Sequence, residues 1–185
     1  AGTSVRTLLA SNTSTVTRKF RIGPLTEETA QNGSLGFTFK AGGFTATVDA
    51  YTISVKDRII LTDNFDASDL GIGVEAAQFF SNGVDTKTQG IDIVLAYKTL
   101  LGASNNSLVI GIAGNLNSLE IESINSDTLN EFTFFGPFSQ AYLQAAAPAY
   151  KFGLNLGFNT KRFSVGVNLT QFSEVILQEF QWVDS

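Results

Sequence analysis

FFSNGVDTKTQGIDIVLAY, residues 79–97, opens on two phenylalanines and closes in strict alternation of bulky and other side chains. Between them lies a polar run without proline, holding Asn82, Gly83, Asp85, Thr86, Lys87, Thr88, Gln89 and Gly90. Such a stretch is either strand, loop, strand, or one very long strand whose surroundings change along its length. The choice between the two sets the architecture of the chain.

Working outward, a period of two dominates. Leu35, Phe37 and Phe39 share a face, as do Phe44, Ala46 and Val48, and Ile91, Ile93, Leu95 and Tyr97. The same holds for Leu108, Ile110 and Ile112, for Phe152, Leu154, Leu156 and Phe158, and for Phe163, Val165, Val167 and Leu169. Successive strand side chains point to opposite faces, so each stretch reads as a strand with one apolar face. Only SQAYLQAAA, 139–147, reads as helix, and Pro148 limits it to about two turns. The chain is all-β: an antiparallel up-and-down meander of about eight strands, forming a partial or re-closed β-barrel, with residues 1–185 as a single barrel segment.

The connections alternate in length. AGG at 41–43 and NTKR at 159–162 are tight hairpins, and LGASNNS at 101–107 is only a little longer. Between them run long excursions at roughly 62–78 and 120–149. A meander then carries its short turns at one end and its long loops at the other, as transmembrane barrels do. The faces opposite the bulky rows are small and uncharged: Gly153, Asn155, Gly157 and Asn159, then Ser164, Gly166, Asn168 and Thr170. Two explanations compete: a barrel lumen whose bulky counterface meets lipid, or a half-buried sheet rich in Gly and Asn.

Strands at 44–61 and 79–98 would each run roughly 60 Å at ~3.3 Å per residue, far more than the ~9–11 residues that cross a bilayer. In YTISVKDRIIL the polar/apolar phase slips as Lys56, Asp57 and Arg58 appear in succession, beside the polar centre of the opening stretch. On the lipid reading the two strands leave the bilayer together and continue pairing above it. The opening stretch is then one strand that changes solvent.

Composition narrows the function. Seventeen acidic and 12 basic side chains give a net charge of −5, which disfavours nucleic acid as a partner. No cysteine or histidine is present, so disulfides, thiolate metal sites and the commonest general base are excluded. Residues 1–15 show no basic segment followed by an apolar run, so no signal peptide is expected.

Asp63, Asp66 and Asp69 could offer oxygen ligands to calcium, but their spacing does not match the helix–loop–helix signature, and solvated loop carboxylates are favoured. Glu120 and Glu122 stand two apart on one strand face with no cue for acid–base work. Asn-x-Ser/Thr at Asn12, Asn32, Asn168 and in Asn105-Asn106-Ser107 is what chance gives in so Ser/Thr/Asn-rich a chain. EFTFFGPF, 131–138, gathers four phenylalanines in a long loop, as a ligand-contacting patch or as a loop packed on itself or on the rim. No phosphate loop, nucleophile elbow or metal spacing occurs. The chain is not expected to be an enzyme or to hold a cofactor, and no catalytic, cofactor or metal residue is assigned.

VDAYTISVKDRIILTDNF followed by AAQFFSNGVDTKTQGIDIVLAY closely resembles the barrel of TonB-dependent outer-membrane receptors, especially those of Bacteroidetes-like bacteria. The family's FxNxxDTxTxG element is matched by Phe80, Asn82, Asp85, Thr86, Thr88 and Gly90. LTEETAQNGSLGFTF is similar to the segment upstream, with Glu27 and Glu28 but without the proline usual there. FGPFSQAYLQAAAPAYKFGLNLGF and RFSVGVNLTQFSEV extend the likeness over roughly 25–180. The resemblance implies an outer-membrane location in a Gram-negative bacterium and uptake of a scarce nutrient such as a metal chelate, vitamin or glycan. Its partners would be outer-membrane lipid, the remaining barrel strands and a plug, with a TonB-type energy-coupling protein reached only through that plug. The family has ~22 strands and usually ends on an aromatic residue, whereas about eight strands, no plug and an ending in FQWVDS are read here. The expectation is therefore the C-terminal part of such a barrel, in isolation left with two open edges. The alternative is a small soluble β-barrel that binds an apolar ligand inside.

Overall fold

A computed structural model describes residues 6–102 and 106–175. In chain order its elements are β1 (Thr7–Leu9), α1 (Thr15–Lys19), β2 (Thr29–Ala41), β3 (Phe44–Leu61), β4 (Phe65–Asp66), a 3-10 turn (Ser68–Leu70) and β5 (Ala76–Gln78). There follow β6 (Phe80–Leu101), β7 (Asn106–Ile124), α2 (Glu131–Phe134), α3 (Pro137–Gln144), β8 (Tyr150–Asn159) and β9 (Ser164–Phe172). Residues 80–101 are thus a single strand, and the polar run lies inside it.

Six strands form an antiparallel meander in the order β2-β3-β6-β7-β8-β9, an open sheet whose described edges are β2 and β9. The expected hairpins at 41–43 and 159–162 are present, with Gly42 in the left-handed region at φ 55° where a tight turn needs it. Residues 103–105 of the β6–β7 connection and the 176–185 stretch that includes FQWVDS lie outside the described residues. β3 and β6 pair from Phe44↔Tyr97 to Leu61↔Phe80, so both long strands continue together well past bilayer length. Among the described residues the meander holds six strands, an open sheet as a partial barrel requires. The remaining three, β1, β4 and β5, form a separate small sheet, in which β5 of the 62–78 excursion pairs antiparallel with β4 and parallel with the N-terminal β1.

Register assigns the faces. One cross-strand row runs Phe39–Ala46–Leu95–Ile112–Leu154–Leu169, and the next runs Phe44–Tyr97–Ile110–Leu156–Val167. On the opposite face the rows are Thr38–Thr47–Val94–Ala113–Gly153–Thr170 and Thr45–Ala96–Gly111–Asn155–Asn168. The bulky face is open: Leu35 is 81% and Phe37 68% exposed, and Ile112, Phe152, Val167 and Leu169 are exposed as well. Along β8 this band is ten residues long, which at barrel tilt gives a height of about 25 Å.

The packed core lies elsewhere. Ala10, Ile22, Ile60, Phe65, Ala67, Ala77, Phe79, Val84, Phe134 and Phe135 form one buried cluster, all drawn from the long connections or the strand ends beside them. Phe20, Phe65 and Phe79 meet with ring centroids 5.2–5.7 Å apart, in tilted and edge-on geometry. This cluster sits on the small-residue face, because Val84 and Thr86 share β6 parity with Asp92 and Val94. The molecule is therefore a sheet with a bare bulky face and a cap packed over the long-loop end of the other face.

Candidate functional site: the cap and its cleft

The cap is held to the sheet where the strand phase slips. Val55 pairs with Thr86 and Arg58 with Val84, so Lys56 and Asp57 bulge out opposite Asp85, and Asp57 takes the left-handed φ of 56°. Asp85 Oδ1 accepts the Asp57 N–H at 2.9 Å and the Asn125 side-chain N–H at 3.2 Å. Asn82 donates to the Asp57 carbonyl at 2.7 Å and clasps Thr26 by its N–H (2.8 Å) and carbonyl (2.9 Å). Glu28 accepts the Ile59 N–H at 2.6 Å, and Asn12 donates to the carbonyls of Phe80 (2.7 Å) and Gly23 (3.0 Å). The hydrogen bond from Asp57 holds the Asp85 carboxyl below the usual carboxylate range against the opposing effect of burial, with further help from Asn125. Asn82 and Asp85 are therefore the fasteners of the cap, a role that their polar character in the sequence left unassigned.

Gly83 lies between them where only hydrogen fits. A Cβ there would stand 2.6 Å from Ile60 Cγ1 and 2.9 Å from the Phe134 ring. Gly90, the last residue of the matched element, lies under the Tyr51 ring across the pair, which leaves no room for a side chain.

The three aspartates do separate work. Asp63 ties down the start of α3, accepting the Gly136 N–H at 2.7 Å and the Ser139 hydroxyl. Asp66 accepts the Ser68 hydroxyl at 2.5 Å and its N–H at 3.0 Å, which lowers its carboxyl below the usual range, while Asp69 is exposed in the 3-10 turn. Among the described residues no group of three or more Asp and Glu is placed to hold a metal ion. Glu122 is the extra residue of a second bulge, since Ile121 pairs with Thr86 and Ser123 with Asp85, and Glu120 stands opposite Lys87. The pair therefore does not share a regular strand face. Asn12 and Asn168 use their side chains in hydrogen bonds, Asn168 with Asn155, and Asn105 lies outside the described residues.

EFTFFGPF divides between the two readings offered for it. Phe134 and Phe135 are buried in the cap, whereas Phe132 and Phe138 are exposed. The helix expected at 139–147 begins earlier, at Pro137, because proline suits the first helical position. Two shorter helices, α1 and α2, were not legible as such. Ser14 caps α1 by accepting the Thr17 N–H, and Asn130 caps α2 by accepting those of Phe132 and Thr133.

Between α3 and the upper end of β3 lies a cleft of about 520 Å³. Arg58 and Leu61 of β3, Gln78 of β5, and Phe138, Ser139 and Tyr142 of α3 are among its walls. Its lining is both charged and aromatic. On the sheet's small face Asn115 donates to Asp92 at 2.6 Å and Asn117 to Asn115 at 3.1 Å, a polar row at the level of the bulky band.

A family model described as TonB dependent receptor-like, beta-barrel matches residues 1–184. The chain belongs to that family. No curated protein matches it. The match fits an open antiparallel meander with one bulky bare face, and it makes the chain the barrel part of an outer-membrane receptor. Among the described residues no helix is long and apolar enough to cross a membrane, and strands are the spanning elements in this family.

Proposed function

We propose that this chain forms a section of wall, with its extracellular cap, in a TonB-dependent receptor that imports a scarce nutrient across the outer membrane of a Gram-negative bacterium. The carrying observation is the inverted distribution of packing: every buried apolar side chain described lies in the cap or at the strand ends beneath it, while the ten-residue band beneath is bulky and bare. In water such a band would collapse. Against acyl chains it is satisfied, and the strands need only their neighbours for hydrogen bonds.

The remaining roles follow from this placement. The short turns face the periplasm and the cap faces outward. The face with Thr47, Ala113, Asn155 and Asn168 lines a lumen filled by a plug, through which an inner-membrane coupling protein delivers energy. Other strands of the receptor pair with β2 and β9, and the work done is transport rather than catalysis. A metal chelate, a vitamin and a glycan are the nutrient classes carried by this reading.

The test is paired cysteine labelling in the whole receptor in outer membranes. Val167→Cys should react with a lipid-dissolved maleimide and resist a membrane-impermeant one, and Asn168→Cys should do the reverse. A soluble barrel with an apolar interior would give no lipid-dependent contrast between the two positions.

A further inference from the structure

The cleft beside Arg58 has a pattern of committed and uncommitted groups that specifies a ligand chemistry. Its Asp63 carboxylate is engaged by the Gly136 N–H and the Ser139 hydroxyl. The Gln78 amide donates to the Thr62 carbonyl at 3.1 Å. Arg58 is different: among the described residues its guanidinium has no ion-pair or hydrogen-bond partner. The Tyr142 hydroxyl is likewise uncommitted among the described residues, and Tyr142 is 69% exposed. Leu61 and Phe138 are among the apolar walls, and both are partly exposed. The volume of about 520 Å³ is in the range of small-molecule sites.

We propose that this cleft binds an amphipathic organic monocarboxylate, with Arg58 holding the carboxylate and Phe138 and Tyr142 flanking an apolar or aryl body. Arginine presents a planar fork of donors that matches a carboxylate, and its cationic plane stacks on aromatic rings. The Asp63 carboxylate in the same wall opposes a doubly charged head such as phosphate more strongly than a single charge. Asp63 is held instead by the Gly136 N–H and the Ser139 hydroxyl, and among the described residues it makes no ion pair with Arg58. This inference deepens the reading of the cap as the outward surface of a receptor and rests on it.

The experiment is equilibrium dialysis of the whole receptor in nanodiscs, with empty nanodiscs subtracting partition into lipid. The probes are 2-naphthoate and its neutral counterpart 2-naphthylmethanol. Naphthoate should bind saturably, and the alcohol about tenfold more weakly, the loss expected for one charge-assisted hydrogen-bonded contact. Arg58→Gln should bring naphthoate down to the level of the alcohol and leave the alcohol unchanged. Arg58→Lys should retain an intermediate preference for the acid, and Tyr142→Ala should weaken both probes. Equal binding of the two probes, or naphthoate binding indifferent to Arg58→Gln, overturns the proposal. So does absence of saturable binding in a receptor that keeps the labelling contrast between positions 167 and 168. Loss of that contrast would instead overturn the membrane reading.

Discussion

The Asp57 N–H donates to the Asp85 carboxylate at 2.9 Å across the β3–β6 pair, at the one place where both long strands lose their register. The same oxygen takes Asn125 from the end of β7, so one side chain joins three strands beneath the cap. Removing it leaves the bulge amide without its acceptor. Asp85→Ala should therefore weaken the cap by about 1–3 kcal/mol, seen as faster amide exchange at Asp57 and Asn125 with β8 and β9 unchanged.

Acid should imitate that substitution. The folded carboxyl of Asp85 lies below its unfolded value, so its contribution is fully present above the ordinary carboxylate pKa and is lost as pH falls through the lower folded value. The difference in cap exchange between the native chain and Asp85→Asn should be constant at neutral pH and vanish in strong acid. A difference that persists unchanged to the lowest pH at which the barrel survives would remove Asp85 from this role.

Gly83 makes a second test of the same seam. Its missing Cβ leaves room for Ile60 at 2.6 Å and Phe134 at 2.9 Å, and both of those side chains are buried. Gly83→Ala should cost about 1–3 kcal/mol by overpacking. The Gly83→Ala, Phe134→Leu double variant should recover part of that loss in thermal melts of the cap, since the two changes share one space.

How far the sequence carries a reader differs between sheet and cap. Alternation along 91–97 and 152–158 specifies strand faces directly, because a strand's side-chain period is two whatever surrounds it. The continuity of β6 through Asp85–Gly90 was legible for the same reason, together with the absence of proline. The cap was not legible. Helix α2 is only Glu131–Phe134, too short to show a period, and β4 and β5 are two and three residues long. These elements exist because Phe79, Phe134 and Phe65 meet in space, and no local pattern distinguishes buried Phe79 from exposed Phe80. The cleft is hidden for a related reason: Arg58 and Tyr142 are 84 positions apart in number and share its lining through the tertiary placement of α3 beside β3, with Asp63 bonded to Gly136.

Phe134 sets the scale of the cap's own stability. It is 1% exposed and its N–H and carbonyl are both engaged, the carbonyl by Asp63. Phe134→Ala should cost about 3–5 kcal/mol through lost burial and the remaining cavity. Protease access to the 125–149 connection should rise sharply, while heat-stable barrel mobility in a gel is unchanged. Simultaneous loss of both would mean that the cap and the spanning sheet fold as one unit.

The sharpest test of the faces compares two neighbours in the middle of the band. Ile112 lies on the bulky face in the row that pairs it with Leu95 and Leu154, and its side chain is exposed. Asn155 lies one residue further along β8, on the opposite face, where its amide donates to Asn168. A lysine at Ile112 would place an ammonium group among acyl chains near the bilayer midplane, a change that costs ~2–4 kcal/mol in such barrels. A lysine at Asn155 loses one exposed hydrogen bond and keeps its charge in a polar lumen, at a cost of about 1 kcal/mol. Folding of the two variants into lipid vesicles, followed by urea titration, should therefore separate them by about 1–3 kcal/mol with Ile112→Lys the weaker. In detergent micelles with loose, hydrated chains the gap should narrow, because the long lysine stem can carry its charge out to water. Equal stability in vesicles, or a weaker Asn155→Lys, would place the bulky face away from lipid and turn the barrel inside out.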